Sequence, residues 1–214
     1  MKIGRRNVLG MVGACVAAMC LNTGALAQAD KPAQPDKPKA AAAKIGEAAP
    51  AFSLTDTDGK AVKLADYKGK IVVLEWFNPG CPVVQMHYGA ETMNKTIAQF
   101  KDKPVAWLRI NSGAAGKQGA GKDANVSAKK EWNITTPILL DESGTVGKSY
   151  GAKTTPHCFV INQDGVLVYA GAIDDGNGGK VGTTNYVAAA VISTLNGETV
   201  AKAETKPYGC NVKY

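Results

Sequence analysis

The stretch of sequence that decides the fold is IVVLEWFNPGCPVV, residues 71–84. Its first seven residues are apolar except for Glu75, a pattern that predicts a strand buried on both faces. A Pro-Gly turn follows, and Pro82 predicts a helix that begins directly after Cys81. The free N–H groups and the dipole at a helix N-terminus favour a thiolate, so we predict a reactive Cys81 with a lowered pKa. The alternative is a small buried cysteine that only packs.

Strands and helices alternate on the C-terminal side of this stretch. Further strands are expected at residues 105–110, 138–140, 158–161 and 166–170, and helices at residues 82–100, 126–132, 146–150 and 186–195. On the N-terminal side, two short apolar segments flank Asp58-Gly59, which predicts a hairpin. Strands separated by helices imply parallel pairing, and the last two strands form an antiparallel hairpin. The predicted fold class is α/β, with a central mixed sheet flanked by helices and an N-terminal β-hairpin.

The first residues of the chain predict export. Lys2, Arg5 and Arg6 precede an apolar run at residues 8–21, and a small-residue cleavage site follows at residues 25–27. Together these features are typical of a secretory signal peptide at residues 1–27. The paired arginines also fit a twin-arginine signal, and a retained N-terminal anchor is the alternative. We therefore expect an exported protein in the periplasm or another extracytoplasmic compartment.

Composition divides the rest of the chain into three parts. Residues 28–44 are mostly alanine, proline, lysine, glutamine and aspartate, and predict a disordered linker. Residues 45–201 carry the globular pattern, and residues 202–214 form a C-terminal tail that contains Cys210.

The charge argues against a nucleic-acid partner. The net charge is +7, and three of the positive charges belong to the signal peptide, which leaves about +4 on the mature chain. The lysines are scattered, without a basic stripe that carries interleaved aromatic residues. We expect no nucleic-acid binding and at most a loose association with anionic membrane surfaces.

The cysteine count favours a reactive thiol. Two of the five cysteines lie in the signal peptide, so Cys81, Cys158 and Cys210 remain. Three cysteines allow one intramolecular disulfide and one leftover thiol, which is too few for a disulfide scaffold.

Four motifs follow one another in a fixed order: GEAAPAF at 46–52, LADYKGK at 64–70, NPGCP at 78–82 and KTTPH at 153–157. Together they resemble the thioredoxin superfamily, in which NPGCP would be the active-site corner and KTTPH the cis-proline loop. The first two motifs resemble in particular its redoxin branch, which is related to peroxiredoxins and alkyl hydroperoxide reductases. The segments at 171–175 and 209–214 resemble a peroxiredoxin-like subgroup. The resemblance spans roughly residues 45–214.

The resemblance implies a substrate edge beside Cys81. It places Pro156, after a cis peptide bond, next to the cysteine, and Thr155 would offer its backbone to an extended substrate. His157 follows the proline and would approach and stabilise the thiolate. Pro82, the neighbour of Cys81, is expected at the same substrate edge.

The resemblance also assigns a role to Glu75. It lies six residues before Cys81, where thioredoxins hold a buried acidic residue beneath the active site. A carboxyl in an apolar strand has a raised pKa, which suits proton transfer to or from the thiol. The alternatives are a carboxylate paired with a neighbouring lysine and a strand-end residue that faces solvent.

The sequence departs from its relatives at the nucleophile. Thioredoxins carry Cys-x-x-Cys, but the second position here is Val84. Peroxiredoxins carry Pro-x-x-x-Thr/Ser-x-x-Cys, but Leu74 and Asn78 occupy the proline and hydroxyl places. A resolving cysteine must then come from elsewhere, and we prefer Cys210 in the tail to Cys158, because burial of Cys158 on a strand would raise its pKa and block access.

These observations predict a thiol-disulfide oxidoreductase that uses a single active-site cysteine. The alternatives are a thiol peroxidase and a non-catalytic binding module that keeps the fold. The expected partners are protein or small-molecule disulfides, or hydroperoxides, together with an unidentified thiol reductant. No cofactor or metal is expected, because His87 and His157 lack ligand spacing and the acidic loop at residues 174–179 lacks a calcium-binding pattern.

Overall fold

The computed structural model describes residues 43–214. The predicted signal peptide and residues 28–42 of the predicted linker lie outside the described residues. Among residues 43–214, no helix is both long and apolar enough to cross a membrane.

The predicted strands occur in the predicted order, and the structure adds two short strands at Thr154–Thr155 and Cys210–Asn211. The strands are β1 (Ser53–Asp56), β2 (Ala61–Lys63), β3 (Ile71–Trp76), β4 (Val105–Asn111), β5 (Ile138–Leu140), β6 (Thr154–Thr155), β7 (His157–Ile161), β8 (Leu167–Gly171) and β9 (Cys210–Asn211). The helices are α1 (Pro82–Gly89), α2 (Thr92–Ala98), α3 (Lys122–Glu131), α4 (Thr145–Tyr150) and α5 (Tyr186–Leu195), with a 3-10 turn at Leu64–Tyr67.

Within residues 43–214, the strands form one seven-stranded sheet in the order β2-β1-β5-β4-β3-β7-β8 and a two-stranded sheet of β6 and β9. Strand β3 runs parallel to β4, and β4 runs parallel to β5. The pairs β1–β2, β1–β5, β3–β7 and β7–β8 are antiparallel. This mixed sheet and its N-terminal hairpin confirm the predicted fold class.

Strand β3 lies inside the sheet, between β4 and β7, and is buried along its whole length. Its side chains alternate between the two faces, as the pleat requires. Ile71 and Val73 belong to the apolar cluster that contains Cys81 and Cys158. The alternate residues Val72, Leu74 and Trp76 belong to the cluster on the other face. The nucleophile therefore belongs to one identifiable face of the sheet.

The single helix predicted at residues 82–100 is wrong, because the structure divides it in two. Helix α1 ends at Gly89, and α2 begins at Thr92. Between them, Glu91 adopts a left-handed conformation with φ 58°, which interrupts the helical hydrogen-bond ladder. The break confines the helix behind Cys81 to two turns.

Candidate active site

Cys81 lies where the sequence predicts it, at the N-terminus of a helix. It is the N-cap residue of α1, with an extended backbone at φ −84°, and Pro82 occupies the first helical turn. The residue is fully buried, and its Sγ donates a hydrogen bond to the carbonyl oxygen of Thr155 at 3.0 Å. The active-site corner and the proline loop, 74 positions apart in sequence, therefore meet at one point.

The predicted cis peptide bond between Thr155 and Pro156 is present. The backbone edge in front of it is already occupied by the C-terminal tail, because β9 pairs antiparallel with β6. In this register Cys210 lies opposite Thr155, whose hydroxyl donates to the Cys210 carbonyl oxygen at 3.4 Å. The edge that was expected to receive an extended substrate thus holds a segment of the same chain, and this segment carries a cysteine.

The pairing brings the two thiols into electrostatic contact. Burial on its own would raise the pKa of Cys81, but the Cys210 thiol and the N–H groups of Val84 and Cys210 stabilise the thiolate and help to outweigh burial, so the pKa is lowered. Burial and the neighbouring Cys81 raise the pKa of Cys210 to about 11. Cys81 is therefore the group that ionises first, and Cys210 keeps its proton while Cys81 is a thiolate.

Cys158 is placed as a core residue. It is fully buried on β7, opposite Glu75 of β3, and its burial, followed by the charges of Glu75 and Asp174, raises its pKa well above the usual value. A protonated thiol that solvent cannot reach is a poor nucleophile. This placement fits the preference for Cys210 as the partner of Cys81.

Glu75 lies in a buried polar network beneath the corner. Its carboxylate accepts hydrogen bonds from Tyr88 Oη at 3.1 Å and Trp107 Nε1 at 2.8 Å, and Arg109 Nε lies 3.4 Å away. Burial raises the pKa of Glu75, while Arg109, Trp107 and Tyr88 oppose the rise because each stabilises the carboxylate. The carboxylate is paired with an arginine rather than a lysine, and it does not face solvent.

Sequence reasoning missed the partners of Glu75. Arg109 lies in the register opposite Glu75 on the parallel strand β4, so a charged residue inside each of two adjacent apolar runs was a usable signal. Tyr88 belongs to α1, and its bond to Glu75 ties the helix that carries Cys81 to the central strand.

His157 does not approach the thiol. Its Nδ1 accepts a hydrogen bond from the Lys153 backbone at 3.3 Å, and its ring packs 4.4 Å from that of Phe159. Cys158 packs in the same apolar cluster as Cys81. Because side chains alternate along a strand, the neighbouring His157 points to the opposite face of the sheet. Burial, and then the charge of Lys153, lowers the pKa of His157 to about 4, so the ring is neutral near pH 7.

Asn78, in the place of the peroxiredoxin hydroxyl, holds a loop. Its Nδ2 donates to the Gln118 carbonyl at 3.1 Å, and its Oδ1 accepts from the Gly80 N–H at 2.8 Å. The loop can approach only because position 119 is glycine, since a Cβ there would lie 2.9 Å from the Asn78 side-chain carbon Cγ. Both ends of the amide are therefore engaged in structure.

The fold and this corner define a thioredoxin-like thiol protein with its nucleophile at a helix N-terminus. A sequence model of the AhpC/TSA family matches residues 45–170, more than half of the chain, and the protein belongs to that family. This confirms the resemblance to the redoxin branch.

Individual relatives agree with the family. The chain is 28% identical over 130 residues to the thiol-disulfide oxidoreductase ResA of Bacillus thuringiensis, covering 58% of this chain and 68% of that protein. It is 28% identical over 135 residues to the chloroplastic peroxiredoxin Q of Oryza sativa, covering 58% and 57%. A hypothetical protein from Sinorhizobium meliloti has a similar structure, with a TM-score of 0.73, 27% identity, and coverage of 82% of this chain and 97% of that one. The predicted class of enzyme, a thiol-dependent oxidoreductase, is confirmed.

Proposed function

We propose that the protein is a thiol-disulfide oxidoreductase in which Cys81 attacks a disulfide and Cys210 resolves the intermediate. The observation that carries the proposal is the docking of Cys210 opposite Thr155, where its thiol and its N–H both lower the pKa of Cys81. The missing second cysteine of the helix, replaced by Val84, is thus supplied by the tail.

The chemistry proceeds in two exchanges. The Cys81 thiolate attacks one sulfur of a substrate disulfide, so that a mixed disulfide forms and the other half of the substrate leaves as a thiolate. The Cys210 thiol then attacks the Cys81 sulfur, forms a Cys81–Cys210 disulfide, gives up its proton and releases the second half as a thiol. The substrate gains two electrons, and an external thiol reductant returns the enzyme to its dithiol form.

The surroundings of Cys81 favour disulfides over peroxides. Peroxide reduction by the usual mechanism needs a hydroxyl to orient the peroxide, and Asn78 stands in that place. Its side-chain amide already forms hydrogen bonds with the backbone of Gln118 and Gly80. The similar proteins include a thiol-disulfide oxidoreductase and a peroxiredoxin, so they support both disulfide exchange and peroxide reduction. A thiol peroxidase is therefore the second candidate, with the sulfenic acid of Cys81 resolved by Cys210 and water released.

The other predicted site residues take supporting roles in this proposal. Glu75 is a positioning residue, because through Tyr88 it fixes helix α1 against the central strand. Thr155 supplies the backbone edge for the resolving strand, and the exposed Pro82 is available for substrate contact. We also propose export, on the strength of the predicted signal peptide.

A comparison of rates tests the proposal. Reduced protein is mixed with oxidised glutathione or with hydrogen peroxide, and formation of the Cys81–Cys210 disulfide is followed by quenching and mass spectrometry. We expect the disulfide to react faster, Cys81→Ser to abolish both reactions, and the matched control Cys158→Ala to react like the wild type. A faster reaction with peroxide would overturn the proposal in favour of the peroxidase.

A further inference from the structure

The end of the chain is held to the domain on both sides of Cys210. We call residues 204–214 the tail strap. Before Cys210, the hydroxyl of Thr205 accepts from the Ala172 N–H at 2.8 Å. After it, the hydroxyl of Tyr214 donates to the Ala152 carbonyl at 2.8 Å. The strap is therefore hydrogen-bonded to the domain on both sides of the active site that it crosses.

Tyr208, two residues before Cys210, binds to a buried pair of polar side chains. Its hydroxyl donates a hydrogen bond to Asp174 Oδ1 and lies 3.0 Å from His87 Nε2. The His87 and Asp174 side chains are 0% and 2% exposed. A hydrogen bond between a hydroxyl and a buried carboxylate is stronger than one between neutral groups, so this bond anchors the strap close to the thiols.

The hydrogen bonds of Tyr208 also determine which ring nitrogen of His87 carries the hydrogen. The one hydrogen of the Tyr208 hydroxyl goes to Asp174, so His87 must donate through Nε2 and leave Nδ1 without a hydrogen. Within the part of the chain that the structure describes, His87 Nδ1 has no hydrogen-bond partner, and it lies 4.0 Å from Asp174 Oδ2. A buried nitrogen without a partner costs free energy. The buried pair of His87 and Asp174 therefore destabilises the fold at this point, and its polar contacts with the Tyr208 hydroxyl offset part of that cost.

We propose that Tyr208 is a positioning residue: gripped by Asp174 and His87, it fixes Cys210 over Cys81 for the resolving step and holds the strap closed against polypeptide substrates. The first part rests on the proposed function, in which Cys210 attacks the Cys81 sulfur of the mixed disulfide. The second follows from occupancy, since Cys81 is fully buried while the strap is docked, and the strap takes up the backbone edge of Thr155. A polypeptide reaches that edge only when the strap leaves it.

The proposal predicts a competition at Cys81. A group bound to Cys81 displaces the strap, whereas the Cys81–Cys210 disulfide requires the strap in place. Tyr208 therefore stabilises the disulfide more than the adduct and raises the effective concentration of Cys210 at the mixed disulfide. Removing only its hydroxyl shifts the balance toward the adduct.

The test uses Tyr208→Phe, which keeps the ring and removes the hydroxyl. The probe is glutathione at a fixed ratio of oxidised to reduced form, and mass spectrometry measures the ratio of Cys81 glutathione adduct to Cys81–Cys210 disulfide. We expect the ratio to rise about tenfold, the usual effect of losing a hydrogen bond to a charged group. The matched control Tyr67→Phe removes the hydroxyl of a tyrosine on the 3-10 turn at Leu64–Tyr67 and keeps the wild-type ratio.

A second measurement uses the same reduced proteins. The rate at which N-ethylmaleimide modifies Cys81 reports how often the strap opens, and Tyr208→Phe should raise this rate about tenfold. An unchanged ratio and an unchanged rate in folded Tyr208→Phe would overturn the positioning role and leave the proposed function standing. If the wild type forms the adduct but never the Cys81–Cys210 disulfide, the proposed function fails, and the positioning role fails with it.

Discussion

Substituting Gly209 is expected to lift the tail from the active site without touching either thiol. Gly209 precedes Cys210, has φ +124°, and packs so closely on the proline loop that a Cβ would lie 2.9 Å from the Thr155 carbonyl carbon and closer still to its oxygen. The atoms that this Cβ would meet first belong to the backbone of Thr155, which cannot rotate out of the way as a flexible side chain would. Gly209→Ala should therefore weaken the pairing of β9 with β6.

The size of the effect follows from two contributions. A residue other than glycine in such a conformation costs about 1–3 kcal/mol. Each strand hydrogen bond that is lost, such as that from the Val212 N–H to the Lys153 carbonyl at 3.1 Å, costs about 1 kcal/mol. A conservative total of about 2 kcal/mol raises the population with an open strap roughly 30-fold.

The assay is the pH profile of Cys81 alkylation in the reduced protein, read by mass spectrometry of the Cys81 peptide. In Gly209→Ala the limiting rate at high pH should rise roughly 30-fold. The midpoint should move to higher pH, because the open strap no longer stabilises the thiolate with the Cys210 thiol and N–H. The matched control is Gly197→Ala, which has φ +73° but open space around the added Cβ, and which should leave the profile unchanged. Equal profiles for the two variants would refute the strap as the cover of Cys81.

Three further outcomes are expected. Cys210→Ala raises the pKa of Cys81, seen in the thiolate absorbance, because the thiol that stabilises the thiolate is gone, and it lets the mixed disulfide accumulate; an unshifted titration would contradict this. Glu75→Gln leaves a buried guanidinium unpaired and costs about 3 kcal/mol or more in urea unfolding, whereas the exposed ion-paired Glu91→Gln costs at most about 1 kcal/mol. His157, neutral when folded, makes the protein less stable as pH falls from 6.5 to about 4, by roughly 3 kcal/mol. In His157→Gln that part of the pH dependence of the melting temperature disappears; its persistence would place the titration elsewhere.

The parts of the site that are local in sequence were predictable. An apolar run, a Pro-Gly turn and a proline after Cys81 specify a strand, a corner and a helix start through short-range rules, and the structure contains all three. The break at Glu91 was missed because glutamate rarely adopts a left-handed conformation, so its residue type gave no signal.

The parts that depend on distant pairing were not predictable in the same way. Tyr208 and His87 are 121 positions apart, and nothing in either local pattern indicates that they meet. The acidic loop at residues 174–179 was considered only as a calcium site, yet its first residue, Asp174, is buried and accepts a hydrogen bond from the Tyr208 hydroxyl. His157 was placed by its distance in sequence from Pro156, whereas the alternation of strand β7 decides which face it takes.

The measurement that tests the account most directly is the disulfide map of the protein. Reduced protein is treated with one equivalent of oxidised glutathione, the remaining thiols are blocked, and the cysteine peptides are identified by mass spectrometry without reduction. We expect a Cys81–Cys210 disulfide and a free Cys158. A Cys81–Cys158 disulfide, or a Cys81 that stays unoxidised, would contradict it.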